Sequence, residues 1–186
     1  MRVNFPFRRW AASAALAGAL CAMRLAASEP EDELKAATVL SFLRYSEWPA
    51  PPSGDPSLTV GVLGRPALAL TFRRVLEGKS VENRPVKVLE LPAESVSNCC
   101  QIVFLASEKP GDLKPALAIA RSMHALTIGA ADQFLELGGA IQLQIVDGRM
   151  SFEVNREALE RSGITISSKL LRFGQIRTAG KGKPPV

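Results

Sequence analysis

Residues 100–106 read Cys-Gln-Ile-Val-Phe-Leu-Ala, an apolar run broken only by Gln101. Successive side chains of a strand point to opposite faces, so a strand this continuously apolar must be covered on both sides. That requirement points to a parallel sheet sandwiched between helices, and the flanking sequence fits it. Leu58–Leu63 is another short apolar, β-branched run. Gly64, Arg65 and Pro66 then turn the chain into a helix through Leu76, with Gly78 in the usual place for a left-handed cap. Val86–Leu91 reads as a second strand, which makes 100–106 the third. A helix is expected over 112–122 after Pro110-Gly111, and a fourth strand at Leu126–Ile128.

The remaining segments complete the pattern. Residues 29–46 read as an opening helix, with four acids near its positive N-terminal end and an apolar stripe of Leu34, Ala37, Leu40 and Leu43. Trp48-Pro49 ends it, and Pro51, Pro52, Ser53 and Gly54 form a link. A short helical turn is expected at 131–135, broken by Gly138-Gly139. Ile141–Val146 and Met150–Val154 flank Asp147-Gly148, the pair that suits a two-residue hairpin turn. Asn155 is a good N-cap for a helix over 156–161 that Gly163 ends, and a final helix is expected over 167–176. Strands alternating with helices give a single-domain α/β sandwich: a mainly parallel sheet, a late antiparallel hairpin at one edge, and helices on both faces. No internal repeat or second domain is visible.

The N-terminus is of another kind. Arg2, Arg8 and Arg9 form a basic head, followed by an uncharged Ala-rich run from Trp10 to Met23. Such a run fits the core of a secretory signal and is shorter than the roughly 20 residues a membrane-spanning helix needs. Small residues at Ala26, Ala27 and Ser28 place the cut after Ala27, with an earlier cut after Ala22 as the alternative. A buried amphipathic helix is the competing reading. Leu20 before Cys21 does not suit a lipid-anchor signal.

Removing residues 1–27 removes four arginines and no acid, so Lys plus Arg falls from 23 to 19 against 18 acids, and the net charge from +5 to +1. The basic character thus belongs largely to the signal. No basic stripe interleaved with aromatics remains, which argues against nucleic-acid binding. No second run is long enough to span a bilayer, so no direct membrane insertion of the mature chain is expected. The domain is expected over 28–177, followed by a disordered polar tail at 178–186.

Chemistry is sparse. His124 is the sole histidine and has no Cys, Asp or second His at ligand spacing, so it reads as structural rather than as a base or metal ligand. No Gly-x-Ser-x-Gly elbow appears, and Gly61 to Gly64 lacks the full glycine pattern of a phosphate loop. Cys99 and Cys100 are the two cysteines left after the signal. Adjacent residues make a strained ring, so buried free thiols, or one exposed reactive thiol, are expected; these two are the candidate redox residues. No catalytic set, metal site or cofactor is expected.

Three stretches exceed what simple packing requires: Phe42 through Tyr45 to Trp48-Pro49; Gly138-Gly139-Ala140-Ile141; and Phe152-Glu153-Val154-Asn155 together with Ser167-Ser168-Lys169-Leu170-Leu171. Together with Lys35-Ala36-Ala37, Cys100-Gln101-Ile102-Val103-Phe104-Leu105 and Leu126-Thr127-Ile128 through Phe134, they stand in the order and spacing of the YfiR-like family of periplasmic proteins, which the chain resembles from about Leu34 to Ile176. The resemblance implies a small α/β periplasmic domain, often dimeric. It further implies restraint of a membrane-bound diguanylate cyclase through its periplasmic sensor domain, so that release raises cyclic-di-GMP and favours biofilm. Relatives can carry extra cysteines that couple disulfides to activity; the first strand and late hairpin here have none.

The leading expectation is therefore a non-enzymatic, homodimeric periplasmic regulator of a membrane signalling protein, a diguanylate cyclase or a histidine kinase. Tyr45, Trp48, Leu170 and Leu171 are its candidate contact residues. The alternative is a small-ligand binder whose crevice at the strand ends is lined by Arg65, Gly138 and Gly139.

Overall fold

The computed structural model describes residues 30–48, 55–92, 99–122 and 124–177. The signal at 1–27, the link at 51–54 and the tail at 178–186 lie outside the described residues.

Helix α1 runs over residues 30–44 and is followed by strand β1 (Ser46–Glu47). Then come β2 (Leu58–Leu63), α2 (Pro66–Leu76), β3 (Ser80–Val81), β4 (Arg84–Leu91), β5 (Ile102–Leu105), α3 (Pro110–Ser122) and β6 (Leu126–Gly129). The chain closes with β7 (Ile141–Val146), β8 (Arg149–Asn155), α4 (Arg156–Ser162), β9 (Thr165–Ile166), α5 (Ser168–Leu171) and β10 (Gly174–Arg177). Eight strands form one sheet in the order β10-β8-β7-β6-β5-β2-β4-β3, and β1 pairs with β9 in a separate ribbon. Only β7–β8 and β3–β4 are antiparallel in the large sheet. From β2 the chain crosses to β4 on one side, and from β5 it crosses to β6 on the other, so the direction of winding reverses between β2 and β5.

The central strand behaves as its composition demands. Ile102 and Phe104 enter a core shared with α1, α2, α4 and α5, while Val103 and Leu105 enter a second core under α3 and Phe134. The first core holds Phe42 edge-on against Phe152 at 5.1 Å and Phe72 tilted against Phe104 at 5.0 Å. Full burial of side chains this size supplies about 1.5–3 kcal/mol each, so the two layers carry most of the stabilisation.

Local signals explain the boundaries. Asp147 and Gly148 both take positive φ in the β7–β8 turn. The Asn155 side chain accepts from Ala158 N–H at 3.1 Å, and Gly163 closes α4 with φ 71°.

Three expectations need correction. The stripe on α1 is Asp32, Ala36, Val39, Leu40 and Leu43, with Leu34 and Ala37 exposed; strict steps of three drift around a helix of 3.6 residues per turn. The short helical turn expected at 131–135 is present as hydrogen-bonded turns over 132–138, with Phe134 N–H on Ala131 O at 3.0 Å and Phe134 in the second core. The helix expected over 167–176 stops at Leu171, and Gly174–Arg177 becomes β10, parallel to β8. The β7–β8 hairpin is therefore not the sheet edge. At the opposite edge Glu82 and Asn83, both at positive φ, turn the short β3 back onto β4.

Candidate partner-docking surface

The end of α1 and the closing segment meet at one margin of the fold. Ser46 pairs with Ile166 and Glu47 with Thr165, and Ser167 N–H donates to Tyr45 O at 2.7 Å. A second link runs through the sheet. Phe42 packs on Phe152, Phe152 lies in register with Gly174, and a side chain at Gly174 would collide with the Phe152 ring. Glycine is thus required for β10 to lie flat on β8. The strand is pinned at its far end, where Arg177 Nε meets the buried Glu153 carboxylate at 2.5 Å and Arg177 Nη1 meets Glu136 at 3.3 Å.

Three exposed large apolar side chains lie on the residue after α1 and on the closing segment. Tyr45 is 46% exposed, Phe173 73% and Ile176 56%. Trp48 is half-buried against the first core, with its indole N–H on Leu43 O at 2.9 Å, and Leu171 also packs partly against that core. The sequence reading of Leu170 as a contact residue is corrected. It is 8% exposed and belongs to the core, because α5 is a single turn that drives it under the ribbon. Phe173 and Ile176 were missed, since a helical reading of 167–176 gave them no edge to occupy. A Phe-Gly pair after a capped turn was the available signal.

The residues of the alternative crevice are not brought together. Leu63, Leu105, Gly129 and Gln142 share one level across the sheet. Arg65 stands beyond that level at the C-terminal ends of the strands, and Gly138-Gly139 stand before it at the other end. The separation is about 14 Å across three strands and about 16 Å along them, from standard spacings. Arg65 is also occupied: its guanidinium pairs with Asp32, which Lys35 approaches at 3.6 Å. Together they tie α1 to the β2–α2 turn. Gly138 and Gly139 serve other neighbours, because a side chain at the first would strike Arg121 and at the second the Phe134 ring.

Cys99 and Cys100 are joined as a disulfide, which corrects the expectation of free thiols. That expectation placed residue 100 inside a strand. The ladder begins at Ile102, so the pair lies outside strand pairing, where the backbone has room for the small ring. Cys100 is buried against Gly61, and Cys99 is half-buried. Among the described residues, no group of three or more His, Cys, Asp or Glu is placed to hold a metal ion, and no helix is long and apolar enough to cross a membrane.

A solved structure shares this architecture. A conserved domain protein from Vibrio cholerae O1 biovar El Tor superposes with a TM-score of 0.52 at 12% identity, covering 69% of this chain and 56% of its own. The ABC domain in complex with L-Trp from Streptococcus pneumonia gives 0.49 at 13% identity, with 69% and 57% covered. The chain thus spans just over half the length of these two structures, and at such identity the likeness to the first concerns the fold alone. No curated protein sequence matches. The sequence does match one family from the start of α1 into β10, over residues 32–175, and on that extent the chain belongs to the YfiR/HmsC-like family.

Proposed function

We propose that this protein is a periplasmic, non-enzymatic regulator that docks on the extracytoplasmic domain of a membrane signalling protein, a diguanylate cyclase, and restrains it. The family it belongs to is periplasmic and regulatory rather than catalytic. The observation that carries the docking reading is the margin of exposed apolar side chains Tyr45, Phe173 and Ile176 beside the sheet-edge strand β10. Aromatic anchors beside unpaired strand groups suit recognition by packing and by added main-chain hydrogen bonds. A regulator of this kind needs no chemistry. It needs only to bind one state of a two-state partner more tightly than the other.

The test is made in the natural host. Deleting the gene should raise cyclic-di-GMP and surface attachment, and the wild-type copy should restore both. A copy carrying Phe173→Asp and Tyr45→Asp should be exported and folded yet fail to restore them. Unchanged cyclic-di-GMP on deletion would exclude the cyclase as partner, and a change in the phosphorylation of a neighbouring sensor kinase would redirect the reading to that class.

A further inference from the structure

A cavity of about 270 Å³ opens at the end of the sheet opposite Arg65. It is lined by Arg121, His124, Thr127, Gly138, Arg161 and Ser162, with Ala125 and Ala158 as its apolar wall. Two arginines and the only histidine of the chain therefore line one small space, and no Asp or Glu lines it. From this we infer that the cavity is a binding site for a small oxyanion, a phosphate or carboxylate group carried by a soluble molecule.

The charge balance supports this. Arg121 makes only carbonyl contacts, with Nη2 donating to Leu137 O at 2.8 Å and Gly138 O at 3.3 Å. Arg161 likewise donates through Nε to Glu157 O at 3.1 Å. Neither has a carboxylate partner among the described residues, whereas Arg65, Arg156 and Arg177 all do. The plain alternative is that both arginines merely complement the helix ends they sit on, α3 and α4. Each helix C-terminus carries about half a negative charge, so two of them offset about one guanidinium and leave the other uncompensated.

Local structure holds the donors in place. Gly138, at φ 91°, has no side chain, and the Arg121 guanidinium occupies the space one would fill. His124 sits in the left-handed region at φ 52°, with its N–H on Arg121 O at 3.2 Å. A non-glycine residue in that region costs about 1–2 kcal/mol, and here it places His124 on the cavity wall. Planar guanidinium forks match phosphate and carboxylate oxygens in pairs. Because Arg121, His124 and Arg161 are solvent-exposed, the expected affinity is modest, with Kd on the order of 1 mM.

Isothermal titration of the full mature protein at low ionic strength tests this with inorganic phosphate, glycerol phosphate, succinate and phosphatidylglycerol vesicles as separate probes. Saturable binding of at least one soluble oxyanion is expected, weakened about tenfold by Arg161→Gln and by His124→Asn, which tolerates the left-handed backbone. Arg65→Gln should leave binding unchanged. Arg121→Gln also removes the contacts to residues 137 and 138, so it is read only if its melting temperature stays near wild type. No saturation by any soluble probe, binding to vesicles alone, or equal loss in Arg65→Gln would each overturn the assignment.

Discussion

The two edges of the sheet are built to opposite rules. At one edge β3 is two residues long and folds back on β4, whose outward side carries Pro85 and Lys87. Lys87 pairs with Asp55 at 2.8 Å, and Arg84 Nε donates to Pro56 O at 2.7 Å. Short strands, proline and charge are the usual means by which an edge refuses another strand. At the other edge β10 has four residues, Phe173 and Ile176 lie open beside it, and among the described residues no strand pairs outside it. The first edge carries these safeguards in β3, Pro85 and Lys87, although Leu89 on β4 is 41% exposed, and the other keeps features that stable monomers normally suppress.

If β10 is a true docking strand, its anchors should matter more than anything at the β3–β4 edge. The largest effect is expected from Arg177→Ala. It leaves the Glu153 carboxylate, which is 6% exposed, without its cation, and breaking a buried pair of this kind costs about 3 kcal/mol. Chemical denaturation should show a lower midpoint. Proteolysis should show early release of the chain after Phe173. A midpoint equal to wild type would mean that β10 is held by its ladder alone. Gly174→Val comes next. Its side chain meets the Phe152 ring, an overpacking worth about 1–3 kcal/mol, and hydrogen exchange should show faster opening of β10 than of β5.

Phe173→Ser and Ile176→Ser separate stability from binding. Both side chains are mostly in water, so melting should move by no more than about 0.5 kcal/mol. If they anchor a partner, each should weaken its binding by about 2 kcal/mol, close to thirtyfold, measured against the purified extracytoplasmic domain. Equal and negligible effects at both sites would remove the contrast between the edges.

The contrast also shows what sequence can carry. The buried strand at Ile102–Leu105 was legible because apolarity on both faces has one common solution, a covered parallel strand. Asp147-Gly148 and Asn155 were legible because their backbone roles are local. β10 was not, since Gly174-Gln175-Ile176-Arg177 has no β-branched run and its strand state depends on Phe152 and Glu153, which lie some twenty residues earlier. The same holds for the docking margin. Tyr45 and Trp48 stood out as aromatics at a helix end, but whether Leu170 or Phe173 faces solvent is decided by the turn between them. Gly138-Gly139 was legible as a break in the chain, but the side chain that fills the space beside Gly138, Arg121, comes from the end of a different element.

The smallest effect is expected at the β3–β4 edge, and it is informative because it should be small. The Lys87 ammonium, helped by the Ser57 N–H, holds the Asp55 carboxyl well below the usual carboxylate range. A depressed carboxylate pKa contributes stability above the unfolded value, near 4, and loses it as pH falls further. The Asp55 side chain is 49% exposed, so solvent screening should reduce that contribution greatly. Lys87→Ala should therefore leave partner binding untouched and shift melting at neutral pH only slightly, with the difference from wild type vanishing in acid. A measurable loss of partner binding in Lys87→Ala would mean that the charged edge takes part in docking, and the asymmetry between the two edges would then describe folding rather than recognition.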